Sequence, residues 1–360
     1  MPVLSRRFLL AGAAASLPAQ PAPAHPVLRL PRKIRAAIIG LVGHTAEILD
    51  PLPLLPDVEI AALADPDTAG LNNLTRRAGL GGARLYADYR RMLDREKLDL
   101  VAVCNDNGSR ARAILDCAAR GLHIVAEKPL AVNRDGFEAV RKTVAANGVK
   151  LTMLLPMRFW PQFAAMKRIV ASGEIGEVAQ IASQKSYRTL DWPQWKTRRS
   201  TYGSTILWIG PHAVDLIRHV GGRELVEAVS MQAHIGAPQL GEMENSTATL
   251  FRLDNGGVAA MRLDYLRPDA APTHEDDRLR VAGTRGVVEF QAATGVTLIT
   301  ARRKPEQIRD LPAPTPLFVE FLAWVYLGQP PQLDLASVYR VNEIVLAAGE
   351  SAKTSQITHT

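Results

Sequence analysis

From Ile34 onward the chain alternates short apolar runs with longer stretches of helical period, and few folds tolerate that rhythm. Residues 34–39, 58–64, 98–104, 123–126 and 150–155 read as strands whose apolar side chains leave neither face for water. Residues 67–78, 89–94, 109–120 and 134–146 carry helical periodicity and separate most of them. A strand buried on both faces needs cover on both, and helices placed between strands supply it as crossovers. The pattern therefore predicts an α/β domain with a parallel, doubly wound sheet and a ligand at the carboxyl ends of its strands.

After about residue 156 the texture changes. A helix at 162–172 precedes strand-like runs at 178–187, 225–235, 246–253, 257–266, 279–282, 287–291 and 296–300. Asp254-Asn255-Gly256 between two of these is a hairpin signal. One exposed and one covered face suit an open, mostly antiparallel sheet, with helices at 209–220, 318–327 and 336–351 as the cover. A chain of 360 residues with 47% hydrophobic content exceeds what one core usually holds. The expected division is 1–24 as an export signal, 33–155 as the doubly wound domain, 156–334 as an α+β domain for substrate and oligomer contacts, and 335–360 as a closing helix and tail.

The net charge of +7 is modest and dispersed, without a Lys/Arg block interleaved with aromatics, so a nucleic-acid surface is not expected. Cys104 and Cys117 are too few for a disulfide framework or a zinc site, and no metal is expected. At the N-terminus Arg6 and Arg7 precede an apolar stretch, Phe8 to Leu17, too short to span a bilayer, and then Ala22-Pro23-Ala24. Ser5-Arg6-Arg7-Phe8-Leu9-Leu10 resembles a twin-arginine signal, which predicts export to the periplasm and no membrane span after processing.

The first strand runs into Gly40-Leu41-Val42-Gly43-His44-Thr45, where a Rossmann domain places the turn that cradles a dinucleotide pyrophosphate. Val42 stands where the fingerprint has its second glycine. Asp65 ends the second strand 22 residues beyond Gly43, a spacing at which a carboxylate accepts hydrogen bonds from the adenosine ribose; it favours NAD over NADP. Asp65-Pro66-Asp67 also suits a helix cap. At the end of a later strand Glu127-Lys128-Pro129 faces the same cleft, where a lysine can take a proton from an alcohol or stabilise an alkoxide.

Together these residues resemble the Gfo/Idh/MocA family, the glucose-fructose oxidoreductase and inositol dehydrogenase group. The likeness runs from about Ile34 to Lys353. It includes the run from Tyr86 to Leu93, His123 to Ala131, Ala171-Ser172-Gly173-Glu174-Ile175-Gly176-Glu177-Val178, Gly210-Pro211-His212-Ala213-Val214-Asp215-Leu216 and Asp277 to Gly286. The resemblance implies a Rossmann domain followed by an α/β domain whose open sheet packs on the nucleotide site or forms homo-oligomer contacts. It assigns Lys128 and His212 to catalysis, Glu127, Asn105 and Asn107 to the cofactor site, and Asp215 and Arg158 to the substrate. Two departures stand out. Cys104-Asn105-Asp106-Asn107 replaces the family's Thr-Pro turn, and Trp208 occupies the place of the aspartate four residues before the histidine.

The stretch 185–202 combines Tyr187, Trp192, Trp195 and Tyr202 with Lys185, Arg188, Lys196, Arg198 and Arg199. Aromatic platforms beside charged donors suit a pyranose, more so one bearing a carboxylate, with Trp208 as a further stacking surface; an oligomer-contact arm has the same composition. The function expected is an exported NAD-dependent oxidoreductase acting on a carbohydrate or polyol. Two alternatives are an NAD-recycling glycoside hydrolase or lyase working through a transient keto-sugar, and a non-catalytic sugar-binding or assembly protein.

Overall fold

The computed structural model describes residues 26–76, 80–189 and 192–360. The expected export signal lies outside the described residues. The first sheet holds six parallel strands: β1 (Ile34–Ile39), β2 (Val58–Ala64), β3 (Arg84–Tyr86), β4 (Leu100–Val103), β5 (His123–Ala126) and β6 (Leu151–Met153), in the order β3-β2-β1-β4-β5-β6. That order reverses between β1 and β4, so the carboxyl ends of those two strands open the crevice where a doubly wound fold binds its ligand. Its helices are α1 (Ala46–Leu49), α2 (Thr68–Thr75), α3 (Tyr89–Arg95), α4 (Asn107–Ala118) and α5 (Arg134–Ala146). Polar caps start most of them: Asp67, Asp88, Asp106 and Asn133 each accept from a backbone amide of the first turn.

The second sheet has nine strands. They are β7 (Val178–Arg188), β8 (Leu225–Ala233), β9 (Ser246–Leu253), β10 (Val258–Arg267), β11 (Glu275–Gly283), β12 (Gly286–Gln291), β13 (Gly295–Thr300), β14 (Arg303–Gln307) and β15 (Thr358–His359). Their order is β14-β13-β12-β11-β7-β10-β9-β8-β15; the β7–β10 pair is parallel and the others are antiparallel. One face packs on α6 (Pro161–Ala171), α8 (Thr205–Gly221) and α10 (Leu335–Thr354), with the short α7 (Arg199–Tyr202) before α8 and α9 (Leu317–Leu327) before α10. The other face is open and carries the exposed Met231, Leu250 and Val258.

α8 is apolar almost all round, which fits its place between the sheet and α10. Ser204 caps it by accepting from the Leu207 amide at 3.1 Å, and Gly222, in the left-handed conformation, ends it. The final segment is no appendage: α10 packs on α8 and β8, and β15 pairs with β8.

Candidate functional site

The β5 ladder continues one residue past the strand, since the Glu127 amide donates to the Val103 carbonyl at 2.8 Å. The Glu127-Lys128-Pro129 turn that follows, with a cis peptide before Pro129, is held from below by Arg110 of α4. That side chain is fully buried, and its guanidinium donates to the carbonyls of Lys128 (2.9 Å), Pro129 (3.0 Å) and Asn105, and to Asn107 Oδ1 (2.9 Å). From the other domain, Asn342 of α10 accepts from the Leu130 amide at 2.8 Å. A planar fork that joins several backbone oxygens fixes the turn more firmly than its own short sequence could.

Glu127 is also fully buried. One oxygen accepts from the His44 amide (2.7 Å) and from His44 Nδ1, and the other from the Lys128 amide (2.7 Å). Burial pushes the carboxyl up, but His44 and Lys128 beside it outweigh burial and bring it to about 2. Gly43 is required here: a Cβ would lie 2.2 Å from Glu127 Oε1, and the residue has φ +73.

Lys128 Nζ donates to the Trp208 carbonyl at 2.8 Å and lies 3.3 Å from the centroid of the Trp208 ring. Burial, chiefly, pulls its pKa down to about 7; Glu127 opposes this, while Arg110, Lys196 and Lys185 add to it. One turn along α8 the buried His212 meets His44 edge-on, with ring centroids 5.1 Å apart, and its Nδ1 has no partner among the described residues. Burial and then the charge of Lys128 hold this imidazole neutral, far below its usual range.

These groups line one wall of a cavity of ≈ 430 Å³, a size that suits a small ligand. Gly43, His44, Lys128, Trp208 and His212 form that wall, and Tyr187, Arg188, Trp192, Lys196, Tyr265, His274 and Glu275 complete the lining. Tyr187 stacks on His274 at 5.2 Å, and Trp192 packs edge-on against Tyr265 at 4.8 Å.

The structure thus brings together the expected Lys128, His212, His44, Tyr187, Trp192 and Trp208. It corrects three other expectations. Arg158 and Asp215 form a buried ion pair with two hydrogen bonds, and Arg158 also donates to the Gln332 carbonyl at 2.6 Å, so both are spent inside the second domain and neither lines the cavity. Asn107 is fully buried, with its amide nitrogen on the Tyr202 carbonyl (2.7 Å) and its oxygen on Arg110, leaving nothing for a cofactor. Lys185, a candidate donor, is buried against Asp277 at 2.5 Å.

The turn after β1 fits a dinucleotide in its own manner. Gly40 has φ +87, and a Cβ there would lie 2.2 Å from the Cys104 carbonyl, so the turn closes directly on β4; the Val42 amide donates to the same carbonyl at 2.8 Å. Among the described residues the amides of Leu41, Gly43 and Thr45 find no hydrogen-bond partner, which leaves three donors at the switch point for a pyrophosphate. α1 is a single turn, so these loop amides rather than a long helix dipole meet the charge. Asp65 gives one oxygen to the Asp67 amide at 2.7 Å, and Asp67 caps α2. Asn105 donates to Ser109 Oγ at 2.7 Å, while its buried Oδ1 has no partner.

Arg110, Tyr265, His274 and Glu275 were not singled out from sequence. Arg110 offered only a run of polar residues after a strand, and the other three come from segments that the parallel β7–β10 pairing and the β7–β11 pairing bring to one strand end.

Comparison with known proteins adds two family matches. Residues 34–155 match the oxidoreductase family model of GFO/IDH/MocA proteins with an NAD-binding Rossmann fold, and residues 163–289 match the GFO/IDH/MocA C-terminal domain; together they span more than half of the chain. A D-xylose 1-dehydrogenase (NADP(+)) 2 of Haloferax volcanii is 26% identical over 328 residues, 88% of this chain and 97% of its own. A myo-inositol 2-dehydrogenase of Thermotoga maritima is 25% identical over 262 residues, 70% of this chain and 74% of its own. The solved structure of a provisionally named oxidoreductase from Thermotoga maritima superposes with a TM-score of 0.85 at 28% identity, covering 91% of this chain and 100% of that one.

Proposed function

The chain belongs to the Gfo/Idh/MocA family of NAD-binding oxidoreductases, and on that premise we propose that it oxidises a secondary alcohol of a sugar or polyol with Lys128 as the proton acceptor. The observation that carries this reading is the ammonium of Lys128, which faces the cavity at the carboxyl edge of the first sheet with a pKa near 7. A base poised near neutrality takes a hydroxyl proton while remaining able to return it. Bound NAD supplies the acceptor for the hydride.

The other residues act around that proton. Neutral His212, with an unpartnered Nδ1, receives or donates a hydrogen bond at the substrate hydroxyl. Glu127 fixes the ring of His44 through Nδ1 and so leaves Nε2 as its free ring nitrogen. The resemblance implies an aspartate where this chain has Trp208, yet Lys128 is anchored by the carbonyl of that residue, which a change of side chain does not remove.

The experiment is to purify the protein with its nicotinamide and follow absorbance during incubation with sugars and polyols across pH. In the direction of oxidation kcat/KM rises as pH passes through about 7 and Lys128 loses its proton. No absorbance change with any polyol would remove this reading. Sugar cleavage without net reduction would put the keto-sugar route in its place, and binding without either would favour the non-catalytic alternative.

The reading extends to location and assembly. Arg6, Arg7 and the apolar residues 8–17 support twin-arginine export to the periplasm, and retention of an Arg6→Lys, Arg7→Lys variant in the cytoplasm is the expected result. The open sheet face with Leu250, Val258 and Met231 supports a homo-oligomer, which light scattering of a Leu250→Lys variant tests by loss of the larger species.

A further inference from the structure

We propose that the cavity takes a sugar acid, a carbohydrate bearing a carboxylate, and that the ammonium of Lys196 and the Nε–H of Arg188 receive that carboxylate. The inference rests on the oxidoreductase reading for the reacting carbon alone; the anion site is built from other residues of the same lining.

Lys196 belongs to the short turn Gln194–Thr197 between β7 and α7. Its ammonium lies 5.2, 5.6 and 5.5 Å from the ring centroids of Trp192, Trp195 and Trp208, and among the described residues no acidic side chain pairs with it. Lys128 approaches the same Trp208 ring at 3.3 Å. One indole is therefore flanked by two ammonium groups. Aromatic faces offset part of the cost of burying each such cation and supply no counter-charge.

Arg188 ends β7 and gives Nη1 to the carbonyls of Asp269 (3.0 Å) and Ala271 (3.4 Å), while its buried Nε–H has no acceptor. Glu275 is the carboxyl group on this lining. Burial, then the charge of Asp277, raise its pKa, and it makes no ion pair with Lys196 or Arg188 among the described residues. Donors left without a hydrogen-bond partner, here the Lys196 ammonium and the Arg188 Nε–H, select a ligand that brings an acceptor and reject the analogue that lacks it.

The donors on hand suit a carboxylate. Only Nη1 of Arg188 is committed, to two carbonyls, and a planar carboxylate matches the guanidinium edge that is left. The apolar faces of Tyr187 and Trp192 in the same lining suit the C–H face of a pyranose ring.

The test uses the full protein with NAD. It is titrated with galacturonate, glucuronate and gluconate, and with the neutral parents galactose and glucose, reading tryptophan fluorescence for binding and nicotinamide absorbance for turnover. The acids are expected to bind at least about tenfold more tightly than their parents, the ratio that one charge-assisted hydrogen bond gives. Lys196→Met should collapse that ratio and Lys196→Arg should keep most of it, with melting curves confirming that both variants fold. In the unaltered protein, added salt should weaken acid binding more than parent binding, a result that needs no variant.

The proposal is overturned if the neutral parents bind as tightly as the acids, or if sugar phosphates displace the acids at equal concentration. Weaker NAD binding in Lys196→Met would also overturn it, since the cation would then serve the cofactor. Absorbance that stays flat with every sugar sinks the oxidoreductase reading alone, because the fluorescence titration still decides whether a carboxylate is recognised.

Discussion

Lys128 and Arg158 are both buried cations, both flagged from sequence as site residues, and the structure assigns them opposite fates. The Nε and Nη2 edge of Arg158 donates to both oxygens of Asp215, and Nη1 donates to the Gln332 carbonyl. Lys128 has one carbonyl, the face of an indole and an open cavity; its neighbour Glu127 is occupied by His44 and by the Lys128 amide. A buried charge whose donors are all spent stabilises a particular packing, whereas one left short of partners has its proton affinity displaced and can do work on a ligand.

Replacement of Lys128 by Met puts the greatest strain on this contrast. Loss of a positioned proton acceptor should lower kcat by about 10²–10⁴ while leaving the protein folded, because a partly compensated cation is exchanged for an apolar chain of similar length. Single-turnover absorbance at the nicotinamide band, read beside a melting curve, checks both halves. A variant that melts early and keeps its per-molecule rate would reverse the roles of the two cations.

Arg158→Met should behave the other way. Stripping the guanidinium leaves the Asp215 carboxylate buried and unpaired, at a cost of about 3–5 kcal/mol in urea unfolding, with the rate per folded molecule unchanged. Combining Arg158→Met with Asp215→Leu in one chain should recover most of that loss, since no orphaned charge remains.

A third effect, smaller over any one pH unit, lies in the pH dependence of stability. The folded pKa of Lys128 is about 7 against an ordinary 10.5, so folding disfavours its protonated form. The penalty is absent above pH 10.5, grows as pH falls towards 7 and is constant below that. The stability of Lys128→Met minus that of the unaltered protein should therefore rise by about 1.4 kcal/mol per pH unit on descending through this window. Arg158→Met, whose partner is a carboxylate, should show no such slope there. A flat difference for Lys128→Met would mean that the lysine is solvated after all.

The same contrast explains what could be read in the sequence. β1, β2 and β5 were legible to the residue because strands covered on both faces announce themselves as unbroken apolar runs. β3 and β14 were not, since Arg84 and Leu85 are exposed and every residue of β14 faces water, which removes the pattern. α8 begins four residues before the expected 209, where Ser204 caps it; Pro211 within it misdirects a reading from periodicity. In the site, Lys128 was legible by its position at a strand end. What sequence does not carry is whether a polar group is already satisfied. The partner of Arg158 is 57 residues away, that of His44 is 83 away and one partner of Asn107 is 95 away.

Asp65 lies between the two extremes, and the smallest effect is expected there. One of its oxygens holds the Asp67 amide, as a structural group would; the other has no partner among the described residues and stands past the end of β2, where the ribose of a bound dinucleotide is read. Asparagine in its place keeps an oxygen for the Asp67 amide and removes only the charge. Asp65→Asn should therefore retain the melting temperature, weaken NAD binding by about three- to tenfold as one charged hydrogen bond becomes neutral, and narrow the preference over NADP, since nothing there then repels a 2′-phosphate. Isothermal titration with both nucleotides measures the pair of affinities. Equal losses for NAD and NADP would show that the carboxylate matters only through the turn, placing Asp65 with Arg158 among the charges that are spent on structure.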